Sequence, residues 1–462
     1  MPMLGALLTP HPPVLLPEVG RGRERELSVT WNAMCLAAKE VAGWEPEVLI
    51  VASPHTVMYS DYFHISPGER ARGDMSAFSA PGLRIEADYD AELRDAIIRK
   101  ARDAGLEAGT LGQRDAKLDH GVLIPLYFLR KAGLDCPIVR MGLSGFSPLE
   151  HYRLGICAAK AAEELGRRAV FLASGDLSHK LRPDGPYGFA PEGPVFDEQV
   201  TQAMADGDFL RFLTLDPSLS ERAAECGLRS FQMMAGALDG LAVEPKLLSH
   251  EGTFGVGYAV AIFKASGLDP RRSFAGAYEL EMRRRIEERR RGEDAWVRLA
   301  RLSLETYVRT SRPLDKLPDG LPEELTGTSA GAFVSLHMDG RLRGCIGTIS
   351  AVKANLALEI VDNAVSAGTR DPRFPPVQAG ELERLEYSVD VLGSPEPVNS
   401  TDELDPKLYG VIVSRGRRRG LLLPDLDGVD TVSEQLEIAL KKGGIRGDEP
   451  YRIERFKVVR HI

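Results

Sequence analysis

Ala169-Val170-Phe171-Leu172-Ala173-Ser174-Gly175-Asp176-Leu177-Ser178-His179 is the stretch that decides the reading of this chain. An apolar run of β character stops at Ser174-Gly175 and presents Asp176, Ser178 and His179 beyond it. Open α/β sheets bind ligands at the carboxyl ends of their strands. A glycine there relaxes the backbone, and the His that follows is placed for proton transfer or ligation. Two earlier segments repeat the construction: Met3–Thr9 runs into Thr9-Pro10-His11-Pro12-Pro13, and Val48–Ala52 runs into Ser53-Pro54-His55. Their prolines end ladder pairing and stiffen the loops. In a parallel sheet such ends share one edge, so the imidazoles can converge.

Around these turns the pattern alternates between strands and helices. Helices are expected over 24–41, 90–104 and 151–165, and strands over 137–141 and 255–263. Leu118-Asp119-His120-Gly121 opens an apolar segment in which Asp119 suits an N-cap, leaving His120 as ligand contact or bystander. Glu225 stands before the apolar run Ser230–Leu238. A carboxylate there needs a cation if it is buried, or serves the helix dipole. Cys226 and Glu251 are its competitors as a third ligand, and His64 and His151 are assigned to structure or surface. This describes an α/β domain over residues 1–265, with a central largely parallel or mixed sheet flanked by helices.

At 462 residues the chain exceeds one ordinary core. Residues 266–292 carry Arg283–Arg285 and Arg289–Arg291 interleaved with Glu287 and Glu288, the composition of a charged helical linker. Beyond it, residues 293–462 mix helices with hairpins, one of them around Asp339-Gly340, which indicates an α+β domain. A net charge of −9 argues against nucleic acid as a partner. No run of eighteen apolar residues suggests a membrane helix. The first twenty residues, broken by Pro10, Pro12, Pro13 and Pro17 and without a basic start, do not read as a signal peptide. Five dispersed cysteines without a C-x-x-C fit a reduced, cytoplasmic setting and supply no iron–sulfur ligation.

Two imidazoles and a carboxylate on one sheet edge are the makings of a facial triad, which most often serves iron(II). Ligand type alone leaves zinc, manganese or copper open. The ordered motifs Thr9-Pro10-His11-Pro12, Ser53-Pro54-His55, Asp119-His120-Gly121, Gly175–His179 and Glu225-Cys226-Gly227 resemble those of the class III extradiol ring-cleavage dioxygenases, of the protocatechuate 4,5-dioxygenase catalytic-subunit type. The resemblance implies His11, His55 and Glu225 as metal ligands, His179 as acid/base, and His120 as a catalytic contact to substrate or oxygen. It further implies a small aromatic substrate of catechol or aminophenol type, with dioxygen as co-substrate. The related Memo proteins carry a Cys near the carboxylate position, and Cys226 leaves a metal-binding accessory protein as the alternative.

Leu342-Arg343-Gly344-Cys345-Ile346-Gly347-Thr348 and Arg370-Asp371-Pro372-Arg373-Phe374-Pro375-Pro376 resemble the AMMECR domain family. Cys345 stands where a nearby cation could lower its pKa, or is simply a small buried strand residue. The two domains in one chain resemble the A component of the AmmeMemoRadiSam systems, which implies a separate radical-SAM partner. A homo-oligomer is compatible with all of this.

Overall fold

The computed structural model describes residues 2–112, 117–426 and 428–462. The chain divides into two compact units, Met1–Glu281 and Met282–Ile462.

A six-stranded sheet organises the first unit. Its order is Ile138–Gly142, Val48–Ser53, Ala169–Ser174, Met3–Thr9, Tyr258–Leu268, Leu241–Glu251. The first four strands are parallel and the last two join antiparallel, so the sheet is mixed. Val48–Ser53 and Ala169–Ser174 are buried at every residue. That is why both read as unbroken apolar runs rather than alternating ones. Alternate strand residues Leu7, Leu49, Val51, Val170 and Leu172 form a core with Met34, Ala37 and Val41 of the helix Ser28–Ala42. Val122, Phe128 and Leu129 of the helix His120–Lys131 complete it. The helix Pro148–Glu164 starts at a capping box made by Ser147 and Glu150, and it packs against Leu228–Ala237.

Two features were not foreseen. Arg70–Met75 and Ala80–Asp88 form a separate two-stranded ribbon. Leu241–Glu251 is the edge strand of the main sheet, and most of it stays partly exposed. Its Glu244, Pro245 and Lys246 are the residues that blunt an open edge, and they obscure the strand signal.

The second unit carries two four-stranded sheets. The first runs Arg341–Gly347, Ala332–Met338, Leu385–Leu392, Val458–His461. Its apolar face (Val334, Leu336, Tyr387 and Val389) packs on Val297, Leu304, Ile360 and Ala364 of the helices Ala295–Thr310 and Leu356–Thr369. The expected Asp339-Gly340 turn is present, with φ of 52° and 75°. Positive φ at both central residues is what a tight hairpin requires. The second sheet runs Glu396–Val398, Arg452–Phe456, Gly410–Arg415, Arg418–Leu422 and packs with the helix Val432–Gly443. An α/β unit followed by an α+β unit is thus the architecture. The segment expected as linker, 266–292, holds the end of Tyr258–Leu268, a turn at Pro270–Arg272 and the helix Ala275–Gly292, and it belongs to the first unit up to Glu281 and to the second from Met282.

Candidate metal centre

The carboxyl ends of Met3–Thr9, Val48–Ser53 and Ala169–Ser174 lie side by side, with Thr9 opposite Ser174 and Ala52 opposite Ala173. The turns beyond them therefore deliver His11, His55 and the Gly175–His179 segment to one edge. Gly175 is not glycine for the expected reason. It is absent from the positive-φ positions, and a Cβ there would run into the Cα of Gly227. Close approach of two backbones, rather than an unusual φ, demands it.

His11 is buried, and its Nδ1 lies 2.9 Å from Ser174 Oγ. The Ser174 hydroxyl donates to the Gly121 carbonyl at 2.5 Å. Ser174 Oγ must then accept from His11 Nδ1–H, which leaves His11 Nε2 bare. That nitrogen lies 3.0 Å from His55 Nε2. Burial first, then repulsion from His55, push the His11 pKa down to about 3, so the ring is neutral.

Asp119 ties the neighbouring imidazoles together. It caps the helix His120–Lys131 by accepting from Val122 N–H, and it accepts from the Ser53 hydroxyl at 2.7 Å and the Thr56 hydroxyl at 2.9 Å. Arg140, wholly buried, stands 3.7 Å from its other oxygen. The His55 turn and the His120 helix are thereby fixed to one carboxylate. Gly121 permits the approach, since a Cβ there would lie 2.5 Å from Ser53 Oγ. The His55 and His120 rings have centroids 4.0 Å apart, and Phe78 packs edge-on to His120 at 5.2 Å. Burial and the other two imidazoles push His120 down to about 3.

Among the described residues, the ligand atoms of His11, His55 and His120 lie within 4.8 Å of one another. Two donors about 2.1 Å from one metal and at right angles to each other are about 3.0 Å apart, the separation found between His11 and His55. Bare, neutral nitrogens are the form that binds a metal. The trio fits one.

Glu225 does not belong to that trio. Its carboxylate accepts from Leu228 N–H at 2.6 Å, at the mouth of the helix Leu228–Ala237. Burial pushes its pKa up to about 7, against the pull of the Leu228 N–H and Arg229. The groups that do reach His11 Nε2 are Cys226 Sγ at 3.8 Å and Asp176 Oδ2 at 3.9 Å. Asp176 also accepts from His11 N–H at 2.8 Å. Burial raises its pKa to about 6. Burial and the adjacent carboxylates hold the Cys226 thiol far above its ordinary value. Asp176 was legible as part of the Gly175–His179 turn, but no sequence signal set it against His11. Glu251 is engaged by Thr30.

His179 sits beyond Asp176 with its ring edge-on to Tyr187 at 5.1 Å. Its Nδ1 is buried without a hydrogen-bond partner. The two histidines assigned to structure or surface are structural: His64 bonds to the Leu111 carbonyl, and His151 bridges Ser147 and Ser144.

In the second unit the two unusual motifs meet each other. Asp371 accepts from Cys345 N–H at 2.9 Å, and Arg373 donates to the Cys345 carbonyl at 3.3 Å and to Asp371 at 2.6 Å. The pair fastens a loop to the edge strand Arg341–Gly347. Of the two readings of Cys345, the thiol lowered by a cation is not the one found: burial raises it, and the Ser335 hydroxyl and then Arg373 only partly oppose that rise.

Comparison with known proteins agrees with this division. The family of the catalytic LigB subunit of aromatic ring-opening dioxygenase matches residues 5–261, and the AMMECR1 family matches residues 297–461. Protein CA_C1420 of Clostridium acetobutylicum is 42% identical over 470 aligned residues, covering 100% of this chain and 99% of its own. A Thermotoga maritima protein is 56% identical over 173 residues, 37% of this chain and 98% of that relative. The crystal structure of an uncharacterized protein, PH0010 from Pyrococcus horikoshii, shares 31% identity over 36% of this chain and 88% of its own, with a TM-score of 0.34. The chain belongs to the LigB family of ring-opening dioxygenase catalytic subunits through its first unit, and joins to it an AMMECR1 domain.

Proposed function

We propose that the first unit is an iron(II)-dependent extradiol-type dioxygenase acting on a catechol- or aminophenol-like substrate. The observation that carries this reading is the convergence of three imidazoles at the strand ends of a LigB-family domain. His11 and His55 hold the metal, and His120 is the third donor in preference to Glu225. When bound, the metal supplies a charged face on which an aromatic diol and dioxygen are held together.

The chain's own residues then have defined tasks. Ser174 holds the His11 tautomer through Nδ1, and Asp119 orients the His55 turn and the His120 helix. Phe78 and Tyr187 flank His120 and His179 and give the edge apolar walls for a flat ring. His179, with an unpartnered Nδ1, takes a proton from the substrate hydroxyl and later returns it.

The test is metal analysis of anaerobically purified protein, followed by a screen of catechols and aminophenols under air. Replacing His11, His55 or His120 by Ala removes metal, whereas Glu225→Gln keeps it. His179→Ala keeps metal while turnover falls by roughly 10²–10⁴-fold. Retained metal in His120→Ala with loss in Glu225→Gln would return the third position to Glu225.

Cys226 so near His11 favours a second reading, a Memo-like metal-binding accessory of a radical-SAM enzyme. Stoichiometric metal, no turnover of any catechol and copurification with such a partner would select it.

A further inference from the structure

Asp197 belongs to no part of the site described so far, yet it is a carboxylate with 2% exposure next to the Gly175–His179 turn. One of its oxygens accepts from Ser178 N–H at 2.8 Å, and the other lies 2.8 Å from His250 Nε2. His250 stands on the edge strand Leu241–Glu251, and Asp197 stands on the helix Glu192–Asp206. Asp197 therefore grips the N–H of the residue before His179, and His250, from a separate element, holds the Asp197 carboxylate. The turn is also held by Leu177 N–H to the Gly257 carbonyl and Gly257 N–H to the Ser178 carbonyl, both 2.8 Å, and on its other side the Ala223 carbonyl accepts from His179 N–H at 3.0 Å and from the Ser178 hydroxyl at 2.9 Å. Gly257 has to be glycine there, because a Cβ would overlap the Asp197 carboxylate.

A buried carboxylate is costly unless it is paired and hydrogen-bonded. Burial raises the Asp197 pKa, and His250 and Ser178 N–H pull against that rise. A neutral side chain could fill the same volume without that cost. What the carboxylate adds is a strong, directional acceptor at one backbone N–H, and that N–H belongs to the residue that aims His179. His179 itself has no side-chain hydrogen bond on Nδ1 to aim it.

We propose that Asp197 and His250 form a positioning pair that sets the direction of the His179 ring by clamping the Ser178 amide. This rests on His179 being the acid/base of the proposed reaction, but the positioning can be read without turnover. The experiment uses the full-length chain loaded with zinc, which is diamagnetic, and histidine labelled at Cε1. The His179 resonance is identified by its loss in His179→Gln. His250→Gln keeps an N–H able to donate to Asp197 and should preserve one sharp His179 signal at the wild-type position. His250→Leu should spread that signal over several positions, with near-UV circular dichroism unchanged. If His250→Leu does not fold, Asp197→Ala, which removes the acceptor, decides by the same multiplicity. A single unmoved His179 signal in the deciding variant overturns the proposal, as does equal spreading in folded His250→Gln and His250→Leu. If the dioxygenase reading also holds, iron-loaded His250→Leu loses about 100-fold in kcat, as a misaimed group does, with KM little changed. Absent turnover in every variant would bear on that reading alone.

Discussion

Ser174 decides which nitrogen of His11 is bare, and it does so through a hydrogen already spent on Gly121. Ser174→Ala should leave the sheet intact, since the side chain replaced is small and the strand is otherwise apolar. Losing the tautomer lock should weaken metal binding by about 10–100-fold, the usual cost of removing such a supporting bond. Competition with a chromophoric chelator measures it, and an unchanged affinity would mean that His11 is oriented by its backbone alone. The three histidine turns were legible because an apolar run closed by Pro-His or Gly-Asp-Leu-Ser-His states both the strand and its end. The direction of a side chain was not. His120 and Glu225 each open a helix, yet His120 faces the imidazoles while Glu225 bends back to its own helix N–H. Spacing along the chain cannot separate those outcomes, because both follow from rotamers and neighbours.

At the scale of elements, the strand Arg341–Gly347 shows how a motif can look chemical and act mechanically. It is an edge strand, and Asp371 and Arg373 occupy the N–H and carbonyl of Cys345 that another strand would otherwise pair with. Arg373 first, then the Cys345 and Arg373 backbone N–H groups, hold the Asp371 carboxyl well below the usual carboxylate range. The sign of the linkage follows. Below the ordinary carboxylate pKa the unfolded chain binds a proton that the folded chain refuses, so stability rises with pH there. The contribution is complete above that ordinary value and is lost as pH falls through the folded one. Asp371→Asn should therefore be destabilised at pH 7, by roughly 1–3 kcal/mol as for a buried bond left unmade. The gap to wild type should narrow steadily as the pH is taken below about 4. Urea unfolding of both proteins at pH 7 and pH 3 checks it. A constant gap would mean the carboxylate charge plays no part. The strand and its turn were legible from the Asp339-Gly340 pair; its fastening by residues 26 and 28 positions beyond Cys345 was not, being a long-range contact.

At the scale of the whole molecule, the chain's two units have separate cores. The composition of 266–292 marked a change of domain but not where the first one stops, because a charged helix and a linker share the same residues. The structure supplies particulars. The strand Tyr258–Leu268 pairs through Leu268 with Leu241, so an end at 265 cuts the ladder. Tyr152 accepts from Phe274 N–H through its hydroxyl at 3.0 Å, and its hydroxyl also bonds to Asp239. Tyr278 is buried at 5% exposure. Each contact lies beyond residue 265 and within the first unit. We therefore expect 1–281 and 282–462 to fold separately, with metal following the first alone. The shorter fragment 1–265 should bind metal at the same site but unfold at a lower temperature, since the His11, His55 and His120 edge lies at the other end of the central strands from the cut. Metal content and thermal unfolding of the three fragments test this. Equal stability of 1–265 and 1–281 would show that the segment after the last strand contributes nothing to the first core. Loss of metal from 1–281 would show that the proposed centre depends on the second unit.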